Sequence, residues 1–190
     1  MLTGLRLGNF KAFAETQRLP VRPLTLIFGA NSSGKCSLIH GFLLARHAME
    51  TGEIDAHRTV IGGEAVDLGG FRQYVHRREP ARRFEWAGEI DVALLQGHLA
   101  ELLAPVHRAT ISLSVGVELG DQGEPLQDST PGVMSYEIEA DGVSILRMSR
   151  RRDGHLQLDR LDHEHPVFRS VIRAIVETAT TTEALSATDF

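Results

Sequence analysis

The stretch LTLIFGANSSGKCSL, residues 24–38, constrains the fold of this chain more than any other. It opens with a continuous apolar run, residues 24–28, which predicts a β-strand buried on both faces. A glycine-bounded loop, residues 29–35, fits the pattern G-x-x-x-x-G-K. Strand, glycine loop and helix in immediate succession predict a phosphate-binding loop. The apolar stripe of the predicted helix is formed by Leu38, Ile39, Phe42 and Leu43.

Each part of this loop has a chemical role in holding a phosphate. Glycines let the backbone wrap closely around an anion, so that successive amides point inward. The free amides and the positive dipole end of the following helix add to the attraction, and Lys35 can reach the β- and γ-phosphates. The alternative is a glycine turn with a solvated lysine. The nucleotide-binding residues predicted from the motif are Gly29, Ala30, Asn31, Ser32, Ser33, Gly34, Lys35, Cys36 and Ser37.

Cys36 stands where this motif ordinarily has Ser or Thr, whose hydroxyl binds Mg²⁺. Magnesium prefers oxygen ligands at about 2.1 Å, and a soft, larger thiol is a poor replacement. Ser37 cannot take over, because one residue along a helix turns the side chain by about 100°. We therefore predict a degenerate metal position at Cys36, with nucleotide binding that depends weakly on Mg²⁺ and with slow or absent hydrolysis. A thiol packed beneath the loop is favoured over a reactive one.

Composition narrows the class of protein further. The 190 residues are 42% hydrophobic and 24% charged, as in an ordinary globular domain. The formal net charge of -5 provides no global attraction to nucleic acid or to an anionic membrane. No stretch has the character of a signal peptide or the length of a membrane span, and Cys36 is the only cysteine. These features predict a cytoplasmic protein without an intrachain disulfide and without a membrane partner.

The remaining patterns predict one unit of the α/β class with an antiparallel β-rich portion. Alternating apolar residues after the loop region indicate strands, and Asp141-Gly142 has the sequence of a hairpin turn. Pro166 is a favourable first residue for a helix. The predicted parts are residues 1–50 (two strands, phosphate loop and helix), 51–86 (a loop-rich connection), 87–162 (antiparallel strands) and 166–190 (a helix and a tail).

GANSSGK, with Asn31 in its third position, resembles the Walker A loop of ABC-type ATPases of the SMC/RecF/OLD kind. Those families are also similar upstream, where a strand, an N-F-K-x-F element and a second strand precede the loop. Asn9, Phe10, Lys11 and Phe13 match that element. The resemblance covers about the first 50 residues and is greatest to stand-alone AAA/ABC-type ATPases of anti-phage defence. It implies a P-loop NTPase fold, namely the N-terminal lobe of an ABC-type head.

The resemblance carries expectations about ligands, site residues and partners. It implies ATP and Mg²⁺ as cofactors, and it adds Asn9, Phe10 and Lys11 to the nucleotide site. Gln73 resembles the Q-loop glutamine, which approaches the metal and the attacking water, and Lys35 is the other implied catalytic residue. The alternative for Gln73 is a polar residue on an irregular surface segment. Because ATP lies between two heads in such proteins, the implied partners are a second copy in a homodimer or higher oligomer, a nuclease effector subunit and DNA.

Two elements of a complete ABC head do not occur in the sequence. No hydrophobic run ends in Asp-Glu, as a Walker B does, and no Ser-Gly-Gly triplet marks a signature. We therefore expect the N-terminal lobe alone, without the half that carries Walker B and the signature. The alternative function is a degenerate, non-enzymatic module for nucleotide sensing or scaffolding. A P-loop kinase or GTPase is disfavoured, because neither a lid nor an N-K-x-D motif is found.

Other polar groups carry weaker signals. Two basic groups offer contacts to a nucleic-acid backbone, although solvated loop charge is favoured for both. His163-Glu164-His165 has ligand-type residues without the spacing of a helical metal motif, so a polar loop is favoured there. No G-x-S-x-G element supports a hydrolase triad. The basic groups are Arg77, Arg78, Arg82 and Arg83, followed by Arg150, Arg151 and Arg152.

Overall fold

An antiparallel β-sheet of seven strands forms the centre of the computed structural model. The structure describes residues 2–51, 60–61, 64–65, 71–97, 100–101, 103–126, 131–151 and 154–169. The helices α1 (Lys35–Thr51) and α2 (Phe71–Tyr74) belong to this part. The strands are β1 (Leu2–Gly8), β2 (Gln17–Pro20), β3 (Val60–Ile61), β4 (Glu64–Ala65), β5 (Phe84–Asp91), β6 (Arg108–Gly116), β7 (Gly132–Ala140), β8 (Val143–Arg150) and β9 (Leu156–Leu161).

The strands of this sheet lie in the order β2-β1-β5-β6-β7-β8-β9, and every neighbouring pair is antiparallel. β3 and β4 form a separate two-stranded ribbon. Asp141 and Gly142 have φ angles of 49° and 82°, as a tight hairpin turn requires, so the predicted hairpin between β7 and β8 is confirmed. The α/β class and the antiparallel portion are confirmed as well. The parallel sheet typical of P-loop NTPases does not occur among the described residues.

The two faces of the sheet differ in chemistry, because side chains alternate along each strand. Aligned residues of neighbouring strands share a face, so each face can be followed across the sheet through the strand register. One row of the apolar face consists of Leu7, Trp86, Leu113, Tyr136, Met148 and Leu158. One row of the polar face consists of Arg18, Arg6, Ala87, Ser112, Glu137, Arg147 and Arg160.

The main core lies on the apolar face, where α1 and α2 pack against β1. Leu7, Phe10 and Tyr74 are at most 1% exposed. The ring centroid of Phe10 lies 5.8 Å from that of Tyr74 and 5.1 Å from that of Phe84, distances at which aromatic pairs are favourable. Leu44 of α1 belongs to the same cluster. The helix that follows the phosphate loop is therefore docked on the first strand of the chain.

A second, smaller core lies where β5 ends and β6 begins. Val92, Val106 and Ala109 meet Ile145 there, and Val167 from the helical turn at 166–169 closes the cluster. The predicted helix thus begins at the expected residue, and its remainder and the tail, residues 170–190, lie outside the described residues. Within the described part of the chain, no helix combines the length and hydropathy that a membrane crossing requires.

Glu89, on the polar face, is a buried carboxylate whose side chain is 3% exposed. Arg6 Nε donates to Glu89 Oε1 at 2.9 Å, Arg18 Nε donates to the same oxygen at 2.8 Å, and Arg18 Nη2 donates to Oε2 at 2.6 Å. The bonds from Arg18 are the main cause that holds the pKa of the Glu89 carboxyl below its ordinary value, against burial, which raises it. This Glu89 cluster joins β1, β2 and β5.

The predicted buried strand at residues 24–28 is wrong. Leu24, Leu26 and Phe28 are 77%, 67% and 83% exposed, and residues 25–29 have no regular secondary structure. An apolar run forms a strand only where neighbouring strands accept its backbone hydrogen bonds and cover its faces. No described strand lies beside residues 24–28, because the sheet is built entirely from other segments.

Candidate functional site

The loop of residues 29–35 curls around the ammonium group of its own lysine. Lys35 Nζ donates to the carbonyl oxygens of Gly29 at 2.8 Å and of Ala30 at 2.6 Å. Ser32 and Gly34 have φ angles of 64° and 95°, and this left-handed backbone turns the chain back on itself. Because α1 begins at Lys35, the ammonium group and the free amides of the first helical turn belong to one short segment.

The turn of residues 9–13 lies directly against this loop. Phe10 and Phe13 exchange two backbone hydrogen bonds of 2.9 and 2.8 Å, which close the turn. A Cβ at Gly34 would lie 3.0 Å from Ala12 Cβ and 3.4 Å from Phe13 Cζ. Gly34 therefore meets two needs, a left-handed backbone and a close approach to the turn.

Residues 74–76 hold the other side of the turn. Lys11 N donates to Tyr74 O at 2.6 Å, and His76 N donates to Asn9 O at 3.1 Å. His76 Nδ1 also lies 2.8 Å from Lys11 O. Asn9 and Lys11 have positive φ angles of 50° and 46°, which are uncommon for residues other than glycine, and these bonds hold them there. The structure thus joins the phosphate loop, the N-F-K-x-F turn and the segment that follows Gln73.

Lys11 brings a second cation to the start of α1. Burial lowers the pKa of its ammonium group, and charge on Cys36 acts in the opposite direction. The pKa of His40 is lowered as well, first by burial and then by the positive charge of Lys11. Cys36 and His40 are at i and i+4 on α1 and so share one face of the helix. Lys11, Cys36 and His40 therefore form one electrostatic cluster beside the loop.

The predicted site residues are divided between the core and the surface. Phe10 is fully buried and Asn9 is 4% exposed, so a direct contact of Phe10 with a nucleotide does not fit its burial. These two residues support the turn from inside, and Lys11, which is partly exposed, remains within reach of a ligand. Gln73 is exposed on α2. Ala30, Asn31, Ser32 and Ser33 are exposed along the loop.

Two residues of the site, His40 and His76, were not predicted from the sequence. The i, i+4 spacing from Cys36 is a signal that could have indicated His40. No local pattern indicates His76, because its partner, the carbonyl of Lys11, is 65 positions away in the chain. Arg82 also serves the turn, since its Nη2 donates to Ala14 O at 3.2 Å and its carbonyl accepts from Asn9 Nδ2 at 3.1 Å.

The residues around the loop do not fit a magnesium ion. The thiol of Cys36 is exposed, so the prediction of a thiol packed beneath the loop is wrong, and a soft sulfur offers no oxygen to a hard cation. Ser37 is only 7% exposed and lies within the protein. Among the residues that the structure describes, no group of three His, Cys, Asp or Glu side chains could hold a metal ion. The described residues around the loop therefore supply no oxygen ligand at residue 36 for magnesium.

The two basic groups of the sequence meet in part. Arg83 lines the same cleft as Arg150 and Arg151, which belong to the second group. Arg77 and Arg78 are exposed, with positive φ angles of 53° and 58° in a short 3-10 helix. Arg152 lies outside the described residues. The first basic group therefore splits into a part that supports the turn, a part on the surface and a part in the cleft.

The apolar run ahead of the loop forms a patch on the surface. Besides the three side chains already described, Ile27 is 37% exposed, and Ile39 on the first turns of α1 is 52% exposed. Such a run differs from apolar side chains scattered singly over a surface, which need no explanation. The phosphate loop thus lies between a docked helix and an uncovered apolar segment.

A scan of the chain against models of known protein families finds no match. A search among characterised proteins finds no match either. The residues and their geometry therefore carry the functional assignment.

Proposed function

We propose that this chain binds ATP through residues 29–37 as the nucleotide-binding lobe of an SMC/RecF/OLD-like ABC-type ATPase. The observation that carries the proposal is the contact of Lys35 Nζ with the carbonyls of Gly29 and Ala30. An incoming phosphate would exchange these contacts for contacts to its own charged oxygens, which bind an ammonium group more strongly.

The charge at the start of α1 supports the same function. Lys11 and Lys35 both lie there, and the first turn of the helix has no acidic residue. Neither lysine forms an ion pair within the described residues. Two cations at one helix N-terminus favour an anion with several negative charges, as a polyphosphate has.

The exposed residues 24–28 support the assignment of the chain as one lobe of a head. In an ABC-type head, further strands beside this run would complete a parallel sheet and would cover Leu24, Leu26 and Phe28. The same resemblance adds a homodimer or higher oligomer, a nuclease effector subunit and DNA as partners, in a cytoplasmic, anti-phage role. Gln73, on the segment bonded to the N-F-K-x-F turn, is the residue we assign to the Q-loop position.

Cys36 affects hydrolysis more than binding. Most phosphate contacts in such a loop come from backbone amides and from the lysine, and a sulfur at residue 36 leaves these unchanged. Magnesium normally adds neutralising charge at the β- and γ-phosphates during phosphoryl transfer. Without a hydroxyl at residue 36, we expect ATP to bind with little dependence on Mg²⁺ and to be hydrolysed slowly or not at all.

Equilibrium binding of a fluorescent ATP analogue tests this function. The wild-type chain should bind with or without Mg²⁺, and Lys35→Ala should weaken binding about tenfold or more, because charge-assisted bonds contribute about 1.5–3 kcal/mol. Arg108→Gln is the matched control, since Arg108 is an exposed cation at the start of β6, and it should bind as the wild type does. Equal affinities for the wild type and Lys35→Ala would exclude nucleotide binding by this loop.

The role of the thiol is tested separately. Cys36→Ser returns a hydroxyl oxygen to the metal position, so Mg²⁺ should then strengthen ATP binding, and the intact assembly should hydrolyse ATP faster. An unchanged hydrolysis rate together with an unchanged Mg²⁺ dependence would contradict the role that we assign to Cys36.

A non-enzymatic module for nucleotide sensing or scaffolding is the second candidate. The exposed thiol at the metal position is the observation that favours it. In that function ATP binding alters the assembly of the chain. Sedimentation with and without ATP would detect this change. The Cys36→Ser variant would then still not hydrolyse ATP. Both candidate functions therefore predict ATP binding, and they differ in whether the Cys36→Ser variant hydrolyses ATP.

A further inference from the structure

A cleft at one end of the sheet brings together arginines from both basic groups of the sequence. It has a volume of about 420 Å³, and its cationic lining consists of Arg83, Arg150 and Arg151. We propose that this cleft binds a small phosphate ester that carries an apolar group. None of the residues of the phosphate loop lines the cleft, so it would be a site separate from the proposed ATP site.

Two paired glycines make room for the arginine side chains. Gly116 of β6 and Gly132 of β7 are direct partners in the sheet. A Cβ at Gly116 would lie 3.2 Å from Cγ of Arg83, and a Cβ at Gly132 would lie 3.2 Å from Nη2 of Arg150. The stem of Arg83 and the guanidinium group of Arg150 therefore lie closely over the two glycines. A side chain larger than hydrogen at either position would push the neighbouring arginine by a few tenths of an ångström.

The guanidinium groups in this cleft retain donors for a ligand. Arg150 Nε donates to the carbonyl of Val133 at 3.1 Å, which orients the group. Arg83 forms no hydrogen bond or ion pair within the described part of the chain. Each guanidinium group has five N–H donors in a planar fork, and this geometry matches the oxygens of a phosphate group.

The rest of the lining indicates the size and character of the ligand. Met134 and Leu126 give the cleft an apolar side, and the cleft volume lies within the range of about 300–1,000 Å³ that small-molecule sites have. Glu118 and Asp121 also line the cleft, so every further negative charge on a ligand adds repulsion there. The net charge of the chain, -5, acts in the same direction. These features favour a small ester over a nucleic acid.

Calorimetric titration with phenyl phosphate tests the proposal. The titration uses the Lys35→Ala variant, in which the phosphate loop has lost its lysine. We expect saturable binding at one site, and weaker binding of inorganic phosphate, because that ion has no group to pack on the apolar side. Adding Arg83→Gln should weaken phenyl phosphate binding about tenfold or more. Adding Arg108→Gln instead, at the opposite end of β6, should leave binding unchanged.

Two further variants keep the test decisive. Gly132→Ala should weaken binding slightly, because it shifts the guanidinium group of Arg150 by a few tenths of an ångström. Arg83→Lys should bind with an affinity between those of the wild type and Arg83→Gln, because it keeps the charge but loses the paired donors. Thermal melting of each variant confirms that the fold is intact. Absence of saturation, or binding that neither Arg83→Gln nor Gly132→Ala weakens, would overturn the site. An oligonucleotide that binds more tightly than phenyl phosphate, and that Arg83→Gln releases, would replace the small ester by a nucleic acid.

Discussion

Strand β1 and the run of residues 24–28 are both short apolar segments near the start of the chain, and they have opposite environments. Leu5 and Leu7 of β1 are at most 1% exposed, whereas Leu26 is 67% exposed. β1 lies between β2 and β5, which accept its backbone hydrogen bonds, and α1 covers its apolar face. The run at 24–28 has no such neighbour among the described strands. The contrast teaches that apolar content alone does not make a strand, because a strand also needs a neighbouring strand that accepts and donates its backbone hydrogen bonds.

The largest effect is expected on the β1 side, where the Glu89 cluster holds three strands together. The double variant Arg6→Met/Arg18→Met would leave Glu89 buried without a partner, and we expect a large loss in the free energy of unfolding, reduced by the exposure of the two guanidinium groups. Urea denaturation measures the change. Arg147→Met is the control, because Arg147 is 53% exposed in its ion pair with Glu137, and it should lower the free energy of unfolding much less. Equal losses for both would show that burial of Glu89 contributes nothing.

A matched pair of leucine substitutions tests the comparison directly. Leu5→Ala removes a fully buried side chain and should destabilise the chain by about 2–5 kcal/mol. Leu26→Ala removes an exposed one and should change the stability of the isolated chain by less than about 0.5 kcal/mol. If Leu26→Ala proved as costly as Leu5→Ala, residues 24–28 would be packed in solution, and the contrast between the two segments would disappear.

The Glu89 cluster should also make the sheet sensitive to acid. The pKa of the Glu89 carboxyl is lower in the folded chain than in the unfolded one, so its contribution to stability is present above the unfolded pKa of about 4.3 and is lost as the pH falls through the folded pKa. The free energy of unfolding should therefore decline with acidification below about pH 5. The decline should be shallower in Glu89→Gln, measured by urea denaturation at a series of pH values. Parallel curves would exclude Glu89 as the cause.

The smallest effect is expected beside the phosphate loop, at His40. Its pKa is lowered in the folded chain by burial and by Lys11, so the stability associated with neutral His40 is present above its unfolded pKa of about 6.5 and is lost as the pH falls. The melting temperature should therefore decrease slightly between about pH 7.5 and pH 5.5, and His40→Gln should reduce that decrease. A pH dependence that His40→Gln leaves unchanged would assign the effect to another group.

Some features of the fold could be predicted because their causes lie within a few residues. The glycines and the lysine of the phosphate loop, the helix that follows and the turn at Asp141-Gly142 depend on backbone conformations that neighbouring residues favour. Alternation of apolar residues indicated β6 and β7 for the same reason. The strand predicted at residues 24–28 was wrong because an apolar pattern does not show whether neighbouring strands are present to pair with it.

The candidate site shows the same limit. Lys35 could be placed from the motif, since its carbonyl partners are five and six positions away. The burial of Phe10 could not be predicted from the sequence, because it depends on contacts with Tyr74 and Phe84 that form only when the chain folds. The exposure of Cys36 likewise depends on how α1 is docked, and no spacing in the sequence indicates it.

The sequence by itself determined the glycine loop of residues 29–35, the helix that follows it, the hairpin turn and the thiol at residue 36, because local backbone preferences and residue chemistry specify these features. Only the tertiary structure decided that Lys11 lies near Cys36 and His40, that Glu89 is buried between two arginines, and that Arg83 and Arg150 share a cleft. Each of these depends on strand register and helix docking. They arise from contacts between residues that are distant in the chain, which local patterns do not encode.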